Sequence, residues 1–184
     1  MRKIILQNMI TIDGYFEGQN REIDWHNVDG EFNEYAGAFL DSVDTLLFGR
    51  VTYELMAGYW PTANATTDDP IIAGKMNSLQ KVVVSRTLKK VKWQNSRLIS
   101  GNIIEEIKKL KNESGKDIAI FGSSDLASTL IEHGLIDEFR IFVNPVILGD
   151  GKSLFRGLKS RLKVKLLRAK TFNSGNVLLY YQPA

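Results

Sequence analysis

Along the chain, short apolar runs rich in Ile and Val alternate with stretches in which apolar residues recur every three or four positions. The runs are "KIILQNMI" (3–10), "DTLLFG" (44–49), "QKVVVS" (80–85), "SRLIS" (96–100), "DIAIFG" (117–122) and "EFRIFVNPVIL" (138–148). Runs apolar on both sides of the pleat suit inner strands of a sheet covered by helices on both faces. The end of the chain differs. "LKVKLLRAKTF" (162–172) and "NVLLYYQ" (176–182) flank Asn173-Ser174-Gly175, a turn signal, and predict an antiparallel hairpin.

Between the strands, residues 30–42 place Phe32, Tyr35, Ala36, Phe39 and Leu40 at helical spacing, and residues 103–111 do the same with Ile103, Ile104, Ile107 and Leu110. Asn102, with Glu105 three residues on, is a loose capping box for the second helix. The stretch 61–80 holds two prolines and a polar cluster and predicts a loop followed by a short helix. The expected fold is α/β, three-layer αβα, with a central, mostly parallel sheet and a carboxyl-terminal antiparallel hairpin. One domain over residues 1–184 is expected from the length.

Composition narrows the chemistry. The chain is 43% hydrophobic and 24% charged, as globular proteins are, and it has no cysteine, which excludes disulfides, thiolate metal sites and a cysteine nucleophile. His26 and His133 lie far apart without ligand spacing, so no metal site is expected. His133, before Gly134, suits a helix end. At the amino terminus Gln7 and Asn8 interrupt the apolar stretch, and no run approaches the roughly 20 apolar residues of a membrane span. A soluble, cytoplasmic protein is expected. The net charge of +3 raises the question of nucleic acid, but the main basic tract, "KSRLKVKLLRAK" (159–170), reads as a strand with one solvated face and carries no aromatic residues for base stacking.

Two strands end in glycine and open into helices, "LLFGRVTYELM" and "IAIFGSSDLASTLIEHG". Helix amino termini offer unpaired N–H groups and partial positive charge, and glycine lets a phosphate approach the backbone. Two such ends suit one diphosphate. Val51 and Thr52 would serve on one side, and Gly122, Ser123, Ser124 and Asp125 on the other. The alternative is that Ser124 or Asp125 simply caps a helix and Gly122 eases a turn. A third strand ends in Ser85-Arg86, which sets a hydroxyl and a guanidinium beyond the carboxyl edge of the sheet, where Arg86, with Arg50, suits the 2′-phosphate of NADPH.

The ordered set FGRVTYE, VVVSRT, FGSSDLAS and NPVILGDGKSLF resembles the dihydrofolate reductase superfamily, specifically the group typified by the carboxyl-terminal reductase domain of the bifunctional riboflavin-biosynthesis enzyme. The resemblance runs from ITIDGYFEG (10–18) to the final hairpin. It implies an αβα fold, NADPH as hydride donor, a small-molecule substrate and a homodimer. It assigns cofactor roles to Gly49, Arg50 and Thr52, a 2′-phosphate role to Ser85 and Arg86, and a diphosphate role to Gly122, Ser123, Ser124 and Asp125.

Reduction of a C=N or C=O bond also needs a proton. Candidate carboxylates are Asp13, in the Asp-Gly pair that the resemblance places on an active-site loop, and Asp24, Asp29 and Glu31, of which Asp29 and Glu31 serve equally as first-turn acids of a helix. Trp25 and Phe32 are candidate ring-stacking neighbours, and the resemblance sets the Pro145 segment beside the substrate pocket. The chain lacks the tryptophan-rich first loop of classical dihydrofolate reductases and the deaminase domain of the riboflavin enzyme. The leading expectation is an NADPH-dependent reductase of a small heterocyclic, carbonyl or imine compound. A dinucleotide-binding protein without turnover, in a sensing or resistance role, is the alternative.

Overall fold

Ile4, Ile5 and Leu6 are consecutive and all buried, so the first strand, β1 (Ile4–Thr11), must be covered on both faces. The computed structural model describes residues 1–122 and 124–184. After β1 come β2 (Tyr15–Glu17), α1 (Gly30–Ser42), β3 (Val43–Gly49), α2 (Arg50–Tyr59), α3 (Ala63–Asp68), α4 (Pro70–Ser78) and β4 (Gln80–Val84). They are followed by β5 (Ser96–Ile99), α5 (Ile103–Asn112), β6 (Asp117–Phe121) and α6 (Ser124–Glu132). The chain closes with β7 (Glu138–Asn144), β8 (Lys152–Ser153), β9 (Val164–Thr171) and β10 (Val177–Pro183).

The main sheet has the order β5-β4-β3-β6-β1-β7-β10-β9. Pairing is parallel from β5 to β7, and β10 and β9 add antiparallel strands at one edge. On one face Ile107 and Leu110 of α5 and Leu126 and Leu130 of α6 pack on Ile4, Leu6, Leu47, Val82, Ile118 and Ile120. On the other, Phe39 and Leu40 of α1, Tyr53 of α2, and Ile72 and Met76 of α4 pack on Ile5, Leu46, Phe48, Val83 and Ala119. Each such side chain contributes about 1.5–3 kcal/mol by leaving water, which makes the three-layer arrangement the stable one. A smaller aromatic cluster of Phe142, Phe172, Leu178 and Tyr180 seats the start of α1 through Phe32 and Tyr35.

Several local expectations change. Asn102 adopts a left-handed backbone (φ 47°) and makes no side-chain cap, so the capping box at α5 does not form. Residues 61–80 fold as two helices, because Thr62 and Asp69 each cap a new start, through Ala65 N and Ile72 N. Strand β7 stops at Asn144, since Pro145 has no N–H to continue the ladder. The basic strand β9 is exposed on both faces, not one, because it is the sheet edge, and α1 touches it only near its end through the Glu31–Lys170 pair. Its Arg168 lies 3.9 Å over the Tyr180 ring. A two-stranded ribbon of β2 and β8 was not foreseen; the strands are too short for periodicity to register.

Candidate active site at the carboxyl edge of the sheet

Because β3, β4, β6, β1 and β7 run parallel, their carboxyl ends share one edge. Strands β3 and β6 are direct neighbours, so the junctions Gly49–Arg50 and Gly122–Ser124 lie side by side. Helices α1, α3 and α4 are each capped by a side chain, that of Asp29, Thr62 or Asp69. Helix α2 is not: Gly49 precedes it, no side chain of the described residues caps it and no acid occupies its first turn. Its leading N–H groups are therefore available to an anion.

Gly122 has φ +69°, a left-handed conformation that favours glycine, and a Cβ there would lie 3.3 Å from Thr52 Oγ1 and 3.5 Å from Asn8 Oδ1. Thr52 thus faces Gly122 across the gap between the two junctions. Ser123 lies outside the described residues. Ser124 is fully buried, and its hydroxyl has no partner among the described residues. Asp125 points outward, 3.8 Å from Arg156. Arg50 is exposed and bonds Glu54 at 2.9 Å. The Ser85 hydroxyl accepts from Thr87 N and Leu88 N, which shapes the turn after β4, while Arg86 is exposed and without an ion-pair partner among the described residues.

Beside these junctions opens a cleft of about 600 Å³ between α1, α2 and the sheet. Its floor is Gln7, Asn8 and Met9 of β1 with Phe121 and Gly122, and its walls include Phe32, Phe39, Val51, Thr52 and Trp60. A buried polar atom without a partner calls for an explanation, and a hydrogen bond to a bound molecule is one. Two such atoms, Asn8 Nδ2 and His26 Nε2, belong to residues lining this cleft. A second depression of about 800 Å³, beside Tyr53, Trp93, Lys90 and Lys92, has neither such an atom nor a residue of the junctions.

The family model described as the RibD C-terminal domain matches residues 2–178. The chain belongs to the RibD C-terminal domain family. It is 39% identical over 180 residues to YyaP of Bacillus subtilis (strain 168), itself uncharacterized, covering 98% of this chain and 94% of that one. Among solved structures it is similar to the diaminohydroxyphosphoribosylaminopyrimidine deaminase/5-amino-6-(5-phosphoribosylamino)uracil reductase of Thermotoga maritima (TM-score 0.71, 15% identity), all of this chain covering 57% of that longer one. It is also similar to the dihydrofolate reductase of Enterococcus faecalis complexed with NADP(H) (TM-score 0.65, 12% identity, 98% of this chain and 96% of that one).

In this RibD C-terminal domain the carboxylates singled out from sequence, Asp13, Asp24, Asp29 and Glu31, do not line the cleft. Asp13 accepts from Thr11 Oγ1 at 2.6 Å and from Gly149 N at 2.7 Å, fastening the loop after β7 to the end of β1. The Thr11 hydroxyl, aided by the Gly149 and Leu148 N–H groups, holds this carboxyl below its ordinary pKa. Asp29 caps α1 through Phe32 N at 2.8 Å. Glu31 accepts from Asn173 N at 3.0 Å and pairs with Lys170 at 3.1 Å, and both partners, the Asn173 N–H first, lower its pKa. Of the ring neighbours, Phe32 lines the cleft, whereas Trp25 stands behind His26, its ring edge-on at 4.6 Å. Pro145 packs on the hairpin turn, its Cγ 3.3 Å from where a Gly175 Cβ would lie.

The carboxylates that do line the cleft are Glu17, 3.5 Å from Lys152, and Glu54, paired with Arg50. Sequence reasoning missed Glu17, Asn8 and His26. The signal for Asn8 was present: two adjacent amides, Gln7-Asn8, inside an otherwise apolar strand whose neighbours are buried on both faces. Gln7 is satisfied by the Tyr35 hydroxyl, which donates to it at 2.8 Å. Burial pushes that hydroxyl's pKa up.

Burial also lowers the His26 pKa, to about 4, so the imidazole is neutral in the folded protein at neutral pH. The unfolded chain takes up a proton below about pH 6.5, whereas the folded one resists until about pH 4, so stability present above that window is lost as pH falls through it. Denaturant melts at pH 7 and pH 4.5 are expected to show wild type losing on the order of 2–3 kcal/mol more than His26→Phe.

Proposed function

We propose that the protein is an NADPH-dependent reductase that transfers a hydride to a small heterocyclic, pteridine- or pyrimidine-like, or related carbonyl or imine acceptor. The observation that carries this reading is the start of α2, uncapped among the described residues, set against Gly122 just past the end of the neighbouring strand and opening directly into the apolar cleft. These residues fit a dinucleotide: α2 leaves N–H groups unclaimed, and the missing Cβ of Gly122 keeps open the gap to Thr52 and Asn8. The N–H groups of Val51 and Thr52, with the Thr52 hydroxyl, would hold one side of the diphosphate, backbone groups of Gly122, Ser124 and Asp125 the other, and Arg86 the 2′-phosphate. When bound, the nicotinamide supplies the hydride. The chain's own part is to orient the reactants and keep water from the acceptor, for which Met9, Phe32, Phe39 and Leu40 supply the apolar walls. Membership of the RibD C-terminal domain family, and similarity to a deaminase/reductase and to a dihydrofolate reductase complexed with NADP(H), support the reading.

Arg86 provides the test. Wild type is expected to bind NADPH more tightly than NADH, and Arg86→Ala to shrink that ratio by roughly 10- to 100-fold, the worth of a charge-assisted hydrogen bond. Fluorescence titration reads both constants; an unchanged ratio removes Arg86 from the site.

A second reading, a dinucleotide-binding protein without turnover, is favoured by one observation: Asp13, Asp29 and Glu31 all hold backbone elsewhere. Tight NADPH binding without NADPH oxidation across pteridines, flavin precursors and quinones would favour it. The proposal extends to a homodimer and to the cytoplasm. The exposed edge strand β9, with Val164, Leu166 and Leu167 and with Leu162 just before it, offers a dimer an apolar surface to cover. No helix among the described residues is long and apolar enough to cross a membrane.

A further inference from the structure

The cofactor reading occupies only one side of the cleft. Its residues sit at the ends of β3 and β6, whereas the loop that carries His26 is tied to the far side of β1. Asn27 N donates to Asn144 Oδ1 at the end of β7 (2.9 Å), and Asn27 Nδ2 donates to Ser174 O in the β9–β10 turn (2.7 Å). Asn176 Nδ2 returns a bond to Asn27 O (2.6 Å), and Asn144 Nδ2 reaches Ile10 O (3.3 Å). Asn144 and Asn176 are fully buried, so this network is rigid and fixes the position of His26. Since β6 and β7 flank β1, the two sides of the cleft lie two strand spacings apart, about 10 Å.

Among the described residues the His26 Nε2 is buried without a partner although the residue lines the cleft, and Trp25 stands edge-on against the ring. A buried acceptor or donor left without a partner costs about 1–3 kcal/mol, which is retained where a ligand completes the bond. The charged groups lining the cleft are Glu17, Arg21 and Glu54. Glu17 is offset by Lys152 at 3.5 Å, Glu54 is paired with Arg50 at the opposite end, and Arg21 is exposed. Among the described residues no carboxylate without a cationic partner lines the cleft; Asp24 and Glu22, on the same loop as His26, are exposed and lie outside its lining.

We propose that His26 is the acceptor-binding residue: its imidazole hydrogen-bonds the polar edge of an uncharged heterocyclic ring lying in the cleft beside Val28 and Phe32. This rests on the reductase reading above, and it adds which residue meets the acceptor and in what charge state. A neutral imidazole presents one donor or one acceptor at Nε2, which matches a lactam edge and repels nothing, whereas a ring carrying an amidinium finds no counter-ion there.

Wild type, His26→Phe and His26→Gln are titrated first with NADPH. All three are expected to bind it within about threefold of one another, and failure of wild type to bind would remove the underlying reductase reading. Each protein, saturated with NADP+, is then titrated by ligand-observed NMR with lumazine and uracil as uncharged probes and with benzamidine and 2,4-diaminopyrimidine at pH 6 as cationic ones. The expected result is that an uncharged probe binds wild type at least about 10-fold more tightly than His26→Phe, that His26→Gln recovers most of the loss, and that the cationic probes bind more weakly. Equal affinity for wild type and His26→Phe, preference for a cationic probe, or no binding of either uncharged probe at millimolar concentration would overturn the proposal. Cooperative melts of both variants establish that they fold.

Discussion

Gly122→Val is expected to weaken NADPH binding by about 100-fold or more while leaving a cooperatively folding protein. Gly122 sits at φ +69°, where a β-branched residue is strained by on the order of 1–2 kcal/mol. Its new Cβ would also stand 3.3 Å from Thr52 Oγ1 and 3.5 Å from Asn8 Oδ1, and its methyl groups would occupy the gap between the two helix starts. Gly122→Ala carries the backbone strain with less bulk and is expected to fall between the two. Fluorescence titration measures the binding, and a thermal melt separates it from unfolding. Binding by Gly122→Val within a few-fold of wild type would show that no ligand passes between Thr52 and Gly122.

The second large effect concerns the wall of the cleft. Phe142 is fully buried on β7, with ring centroids 5.2 Å from both Phe32 and Tyr35 and 5.4 Å from Phe172. These contacts hold the start of α1 on the sheet, and Phe32 in turn lines the cleft. Phe142→Ala is expected to cost about 3–5 kcal/mol through lost burial and the cavity left behind. For a chain of this length that corresponds to a fall in Tm on the order of 10 °C. Urea denaturation reads the loss directly. A cost below about 1 kcal/mol would mean that the aromatic cluster does not anchor α1.

The sheet was legible in the chain because its inner strands are buried on both faces: "LLFG" and "VVV" are apolar at every position, and β3 and β4 bury nearly all of theirs. Helix α1 was legible to the residue because Phe32, Tyr35, Phe39 and Leu40 mark one face and Asp29 provides the start. The ribbon of β2 and β8 was not legible, since its pairing joins Tyr15–Glu17 to Lys152–Ser153, far apart in the chain, and no local pattern encodes that contact. For the site, strand-glycine-helix junctions announce themselves locally, and parallel pairing then brings both to one edge. The carboxylates mislead for the opposite reason. Asp13 and Glu31 look free in one dimension, but their partners, Gly149 N and Asn173 N, appear only once the chain has folded, whereas the bond from Phe32 N to Asp29 is local and belongs to its reading as a helix acid. His26 is the converse. It has no motif, and what distinguishes it is a buried Nε2 without a partner, a property of the folded cleft alone.

The most direct measurement is a crystal structure of the protein grown with NADPH at a concentration that calorimetry has established as saturating. The expected density places the diphosphate between the N–H groups at the start of α2 and those around Gly122 and Ser124, with the nicotinamide in the cleft beside Asn8. A dinucleotide bound elsewhere, or a start of α2 that remains empty at saturation, would contradict the assignment of this edge as a cofactor site.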